Sequence, residues 1–256
     1  MAKNNVNVYS IKGDVVRNVE LPSVFESEYR PDLIRRATVA EQANKRQPYG
    51  PSPGAGMRHS VSTWGKGRGV ARVQRLSQGS KGAESPNNVG GRRAFPPRPE
   101  KDLSKKINRK ERAKARTSAL AALADVELVR DRGHLFDEGL ATPIVVEDEF
   151  EDLATTVAVY EALDNIGVSA DLERAKNGQK IRAGRGKMRS RKYKGKRSVL
   201  LVVSAKEVPL FKGANNLPGV EIVSLEGLNT GVLAPGGLPG RLTIFSESAL
   251  KKLGEW

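Results

Sequence analysis

The sequence predicts an α/β domain: a mainly parallel sheet with helices on both faces, carrying a long basic extended arm inserted near residues 48–103. Three observations predict it. Ile144-Val145-Val146, Val199-Leu200-Leu201-Val202-Val203 and Leu242-Thr243-Ile244-Phe245 are short, nearly continuous apolar runs, the pattern of strands covered on both faces rather than on one. Helical patterns separate them, which favours parallel crossovers. Between residues 48 and 103, large apolar residues are sparse, and between Gln42 and Ala83 there is no acidic residue. A connection of this length is functional or disordered rather than an ordinary loop. One globular domain is expected over residues 1–256, with the arm at 48–103 and a second basic strip at 174–197.

The elements follow in order. Val6, Val8 and Ile11 mark a first strand, Lys12-Gly13-Asp14 a turn, and Val15 to Leu21 a second strand closed by Pro22. Pro31 suits a first helical turn, and Leu33, Ile34, Ala37, Ala40 and Ala43 recur near period 3.6, so a helix is expected to about Lys45. Residues 48–56, Pro-Tyr-Gly-Pro-Ser-Pro-Gly-Ala-Gly, hold neither a helix nor a central strand. Folded back on itself, the arm that follows reaches at most roughly 100 Å. Asn108 with Glu111 reads as a capping box for a helix through Leu123. Phe150 to Ile166 is helical in pattern, with Gly167 as its C-terminal cap. Val199–Val203, Ile222–Leu225 and Leu242–Phe245 are strands, and Ser246 caps a last helix through Leu253. No fixed-period repeat is visible.

Charge is sorted along the chain. The formal net charge is +15, yet residues 44–110 hold 16 basic and 3 acidic side chains and residues 174–197 hold 12 basic and none acidic. Residues 111–173 reverse the sign, with 5 basic and 15 acidic. Solubility does not require such segregation; two basic segments laid along a polyanion do. Nucleic acid is the polyanion whose bound counterions reward each neutralised phosphate. The absence of cysteine excludes disulfides and thiolate metal sites. No apolar run approaches a membrane span, and Met1 to Asn5 lacks the apolar stretch of a signal peptide. A cytoplasmic protein without membrane contact is expected.

The candidate RNA-contacting cations are Arg58, Lys66, Arg68, Arg72, Arg75, Lys81, Arg92, Arg93 and Arg98 in the arm, and Lys180, Arg182, Arg185, Lys187, Arg189, Arg191, Lys192 and Lys194 in the strip. Trp64-Gly65-Lys66-Gly67-Arg68-Gly69 superficially suggests a phosphate-cradling loop. A nucleotide site needs a strand before it and a helix after it, and neither pattern is present. Its glycines instead let the backbone press against a crowded surface while the cations neutralise phosphates. Taken alone, the segment reads as a solvated loop that orders on binding. In the strip, Tyr193 can stack on a base or sugar, and the cation density without one acid demands a counter-charge. Arg92-Arg93-Ala94-Phe95-Pro96-Pro97-Arg98-Pro99 reads either as a proline-rich peptide ligand or as a stiff stretch presenting guanidinium groups.

The remaining motifs are weak. His59 and His134 stand 75 residues apart with no cysteine partner, so no metal site is expected. Glu147-Asp148-Glu149 and Glu151-Asp152 read as a solvated acidic face at a helix N-terminus. No Gly-x-Ser-x-Gly elbow occurs and no glycine-rich turn follows the apolar strands, so no catalytic residue and no cofactor is assigned.

Several segments together resemble large-subunit ribosomal protein four, in its archaeal form, over nearly the whole chain. They are Ser62 to Val73, Asn108-Arg109-Lys110-Glu111-Arg112, Ser118 to Ala122, Arg132-Gly133-His134, Ile181 to Arg189 and the tail Leu233 to Leu250. The chain ends at Trp256 without the extension of eukaryotic members. The resemblance implies an α/β domain on the large ribosomal subunit, an arm threading into large-subunit ribosomal RNA, and a role in assembly. It also implies that Thr63, Trp64, Gly65, Lys66, Gly67 and Arg68 line the nascent-peptide exit tunnel beside the loop of protein twenty-two, facing the nascent peptide. Two other classes remain open on the residues themselves: an enzyme on the same sheet, such as an RNA methyltransferase, and a non-ribosomal RNA-binding or regulatory module.

Overall fold

The computed structural model describes residues 5–255; the N-terminal residues read for a signal sequence lie largely outside them. Strand β1 (Asn5–Tyr9) turns back through Gly13 into β2 (Val15–Glu20). Helix α1 (Pro31–Asn44) follows, opened by its proline. Strands β3 (Val61–Thr63) and β4 (Gln74–Leu76) form a small hairpin. Helices α2 (Arg109–Ala121) and α3 (Val126–Asp131) precede β5 (Ile144–Val146), and α4 (Thr156–Ile166) and α5 (Ser169–Asn177) follow it. A second hairpin joins β6 (Lys180–Ile181) to β7 (Tyr193–Lys194). Strand β8 (Leu200–Val203), helix α6 (Leu210–Ala214), β9 (Glu221–Ser224), α7 (Thr230–Leu233), β10 (Thr243–Ser246) and α8 (Glu247–Leu253) complete the chain.

Six strands make one sheet in the order β2-β1-β5-β10-β8-β9. Only β2 runs antiparallel; every other neighbouring pair is parallel. Two apolar clusters show why the predicted strands have continuous apolar runs. Val145, Leu200, Val202 and Phe245 face one layer, where Ile34 of α1, Leu120 of α2, Leu233 of α7 and Leu250 of α8 pack. Ile144, Val146, Leu201, Val203 and Ile244 face the other, with Val129 of α3, Leu163 of α4, Leu172 of α5 and Leu210 of α6. Side chains alternate along each strand, yet both faces are covered, so every position is apolar. Fully burying one such side chain contributes about 1.5–3 kcal/mol.

The chain divides into two compact units, one of Ala43–Lys105 and one of the remainder. Within Ala43–Lys105 only Ala83 is buried, so this unit is held by backbone hydrogen bonds and local side-chain contacts rather than by a core. The chain reverses between Thr63 and Gln74, with Ser62 opposite Arg75. Gly50 and Gly56 allow close passage of two segments: a Cβ on Gly50 would stand 2.6 Å from the Pro97 carbonyl oxygen, and one on Gly56 2.7 Å from the Arg92 Cα.

Two local expectations need correction here. Residues 150–166 are not one helix: Asp148–Asp152 is a short 3-10 turn, and α4 starts only after Thr155, whose hydroxyl accepts from Ala158 N. Phe150 is drawn out of the helix to fill the second core, where it is 2 % exposed. The Asn108 capping box does not form; the Asn108 side chain makes no cap hydrogen bond, and Glu111 pairs with Arg36 instead, at 3.4 Å. The sequence pattern does not predict helices α3, α5, α6 and α7, which are too short to show a clear period. The basic strip therefore begins inside α5, which carries Arg174 and Lys176. Gly167 (φ +91°) and Ser246, which accepts from Ala249 N, do cap α4 and α8.

Candidate nucleic-acid interface

The strip is a hairpin. Lys180 pairs with Lys194 and Ile181 with Tyr193, and Arg182 N donates to the Lys192 carbonyl at 2.9 Å. Its far end tightens into a 3-10 turn, Arg185–Met188, where Arg189 N and Arg191 N both donate to the Gly186 carbonyl. Every cation from Lys180 to Lys194 is exposed, and the side chains of Arg182 and Arg191 both lie beside Gly186. Like charges directly opposite on two strands are destabilising, so the Lys180–Lys194 pair calls for an anion. Tyr193, Met188 and Ile181 are exposed among these cations, and the Lys192 ammonium lies 5.3 Å from the Tyr193 ring centre. An exposed aromatic among cations suits a polymer that offers both phosphates and π faces.

In the Ala43–Lys105 unit the reversal is Trp64 to Val73. Gly65, Gly67 and Gly69 all have positive φ with open space around them, so the loop follows a path most residues resist. Arg68 and Arg75 both approach the Trp64 ring, their guanidinium carbons 5.2 and 5.0 Å from its centre. Lys66, Arg68, Arg72, Lys81, Arg93 and Arg98 are exposed. Two predicted cations have local partners. Arg58 donates to Ser52 Oγ at 3.0 Å, and half-buried Arg75 donates to the carbonyls of Ser80 (2.6 Å) and Ala71 (3.2 Å), bracing the hairpin. Arg92 is half-buried beside Gly56.

Sequence reading missed the polar network that roots the basic hairpin. Asp171 of α5 is fully buried and accepts from four groups: the Leu135 backbone N–H (3.0 Å), Arg174 Nε (2.8 Å), Ser198 Oγ (2.5 Å) and the His134 ring (3.1 Å). Burial pushes the Asp171 carboxyl up, but the hydrogen bonds from His134, Arg174 and Ser198 outweigh it and hold the group well below the usual carboxylate range. Burial pushes His134 down, against the pull of Asp171, so its imidazole is neutral at pH 7. Nearby, Arg132 donates to the carbonyls of Pro235 (3.0 Å) and Pro239 (3.2 Å), and burial, with Arg241 and Arg174 close by, lowers it to about 10. Arg241, wholly buried, bonds Glu221, Val232 O and Ser198 O, and Glu221 also pairs with Arg197. Arg132-Gly133-His134 and the glycine-rich tail thus hold each other inside the body.

The acidic cluster is solvated only in part: Asp148, Glu149 and Asp152 are exposed, but Glu151 is not. Glu151 is buried and accepts from Ser204 N and Ser204 Oγ, both at 2.8 Å, and from Ser246 Oγ; Asp148 accepts from Ser248 N in the first turn of α8. These bonds tie together the carboxyl ends of β8 and β10. That edge is where open parallel sheets hold cofactors, and here Phe150 and Glu151 occupy it.

The family model described as the ribosomal protein L4/L1 family matches residues 19–256. The chain belongs to the ribosomal protein L4/L1 family. Among its relatives, the large ribosomal subunit protein uL4 of Archaeoglobus fulgidus is 51% identical over 249 residues, 97% of this chain and 98% of that protein. Those of Methanoculleus marisnigri and Methanocaldococcus jannaschii are 50% and 51% identical, each over 97% of this chain. As a member of the L4/L1 family, the chain is a structural constituent of the large ribosomal subunit, working in the cytoplasm, and not an enzyme. RNA binding is typical of this family.

Proposed function

We propose that the chain binds large-subunit ribosomal RNA through the Lys180–Lys194 hairpin and the Ala43–Lys105 unit, and that this binding supports assembly of the subunit. The observation that carries the reading is the hairpin's register: Lys180 stands opposite Lys194, with further exposed cations on both sides and no acid among residues 174–197. RNA phosphates supply the missing counter-charge. The Ala43–Lys105 unit acts as the extended arm. Its near-total exposure leaves backbone and cations free to be enclosed by RNA, and ordering can accompany that enclosure. Residues Thr63 to Arg68 form its tip and border the nascent-peptide exit tunnel, beside protein twenty-two.

Thr63→Cys tests the tunnel assignment, since the chain has no native cysteine to compete. In assembled ribosomes it crosslinks to a stalled nascent peptide, whereas Val203→Cys, in the buried strand β8, does not. No crosslink from Thr63→Cys at any peptide length, while a probe in the protein-twenty-two loop reacts, overturns the assignment.

A further inference from the structure

A cleft of about 750 Å³ lies wholly within the Ala43–Lys105 unit, lined by Tyr49, Arg93, Phe95, Arg98, Glu100 and Lys101 together with Pro96 and Pro97. Its size falls within the ~300–1,000 Å³ of ordinary ligand sites. Two segments distant in sequence form its walls, and they meet where Gly50 is pressed against Pro97 and Pro99. Any side chain at residue 50 would push the walls apart. The prolines restrict the backbone of one wall.

The lining points to a nucleobase. Tyr49 is 67 % exposed and Phe95 95 % exposed, and the unit has no core for either ring. Exposed rings flanked by arginines offer stacking faces for a base and cations for its phosphates. A duplex has no free base face to offer, whereas an unpaired strand has one at every nucleotide. Glu100 is the discriminating group. A carboxylate among cations gains nothing from a phosphate, but it accepts hydrogen bonds and donates none. Guanine is the base whose Watson–Crick edge sets two N–H donors side by side.

We propose that this cleft holds one unstacked guanine of a single-stranded RNA segment, stacked against Tyr49 and Phe95 and read by Glu100. The proposal rests on the RNA-binding reading above and adds to it the strand state and the base.

The test uses the full chain and three probes: a uridine decamer with one central guanosine, the same decamer with adenosine there, and a duplex of equal length. The unaltered protein binds the guanosine decamer more tightly than the adenosine one. Phe95→Leu weakens guanosine-decamer binding roughly tenfold and leaves duplex binding unchanged, while Phe95→Trp keeps it. Glu100→Gln removes the preference for guanosine over adenosine. Both side chains are exposed, so these variants fold, as circular dichroism verifies. If Phe95→Leu and Tyr49→Leu bind all three RNAs as the unaltered protein does, the cleft proposal fails while RNA binding stands, and the proline-rich run becomes a candidate peptide ligand. Equal loss on single strand and duplex also overturns it. Failure of the unaltered protein to bind any of the three overturns both readings together.

Discussion

Arg174 Nη2 donates to the carbonyl oxygen of Arg197 at 2.8 Å, while Arg174 Nε donates to Asp171 at 2.8 Å. One side chain thus fastens the C-terminal root of the basic hairpin to a buried carboxylate in the body. Arg174→Ala removes a charge partner of Asp171 and this tether. Losing one partner of a buried pair is costly because the other charge stays buried, so destabilisation of about 2–4 kcal/mol is expected. Thermal unfolding then shifts down by roughly 5–15 °C. Arg174→Lys does not restore it, since a point ammonium cannot make both bonds in the guanidinium geometry. An unfolding midpoint equal to that of the unaltered protein would discount the tether.

Stability falls in acid in two steps. The folded pKa of His134 is lowered, so below the unfolded value of ~6.5 the unfolded chain binds more protons and stability declines until the folded value is passed. The folded pKa of Asp171 is also lowered, so its contribution is complete above ~3.9 and is lost below it. His134→Gln keeps a donor toward Asp171 and cannot titrate. Urea unfolding at pH 7.5 and 5.0 shows a smaller decline in this variant than in the unaltered protein. Equal declines in the two proteins would remove His134 as the source of the first step.

The Ala43–Lys105 unit is expected to be separable from the body. With only Ala83 buried among residues 43–105, replacing residues 50–98 by a short linker leaves both apolar clusters of the body intact. The deletion variant unfolds in one cooperative transition followed by circular dichroism. A gradual, non-cooperative loss of signal would mean that the deleted residues are part of the core.

The role proposed for the hairpin cations is to neutralise phosphates. Replacing Arg182, Arg185, Lys187, Arg189, Arg191 and Lys192 together with alanine weakens binding to ribosomal RNA. It also flattens the slope of log affinity against log salt, by up to roughly 4–5 units if each cation meets one phosphate. The buried network at the root is untouched, so unfolding is unchanged. A slope identical to that of the unaltered protein would exclude the hairpin from the interface.

Local order in the sequence determined much of this protein. The apolar runs at 144–146, 199–203 and 242–245 specify strands covered on both faces, because each alternate residue meets a core. Gly167 and Ser246 end and begin their helices for reasons confined to a few neighbouring residues. The sorting of charge is a property of the chain itself and survives folding as exposed basic segments. Tertiary structure alone decided that β10 inserts between β5 and β8, since parallel pairing joins residues that share no local signal. It also decided the fate of the buried polar groups. Nothing near Asp171 in sequence announces that His134 and Ser198 will meet it, and nothing near Glu151 announces Ser204 and Ser246. A carboxylate can stay charged inside the body only where donors from distant segments converge on it, and that convergence exists only once the sheet has formed.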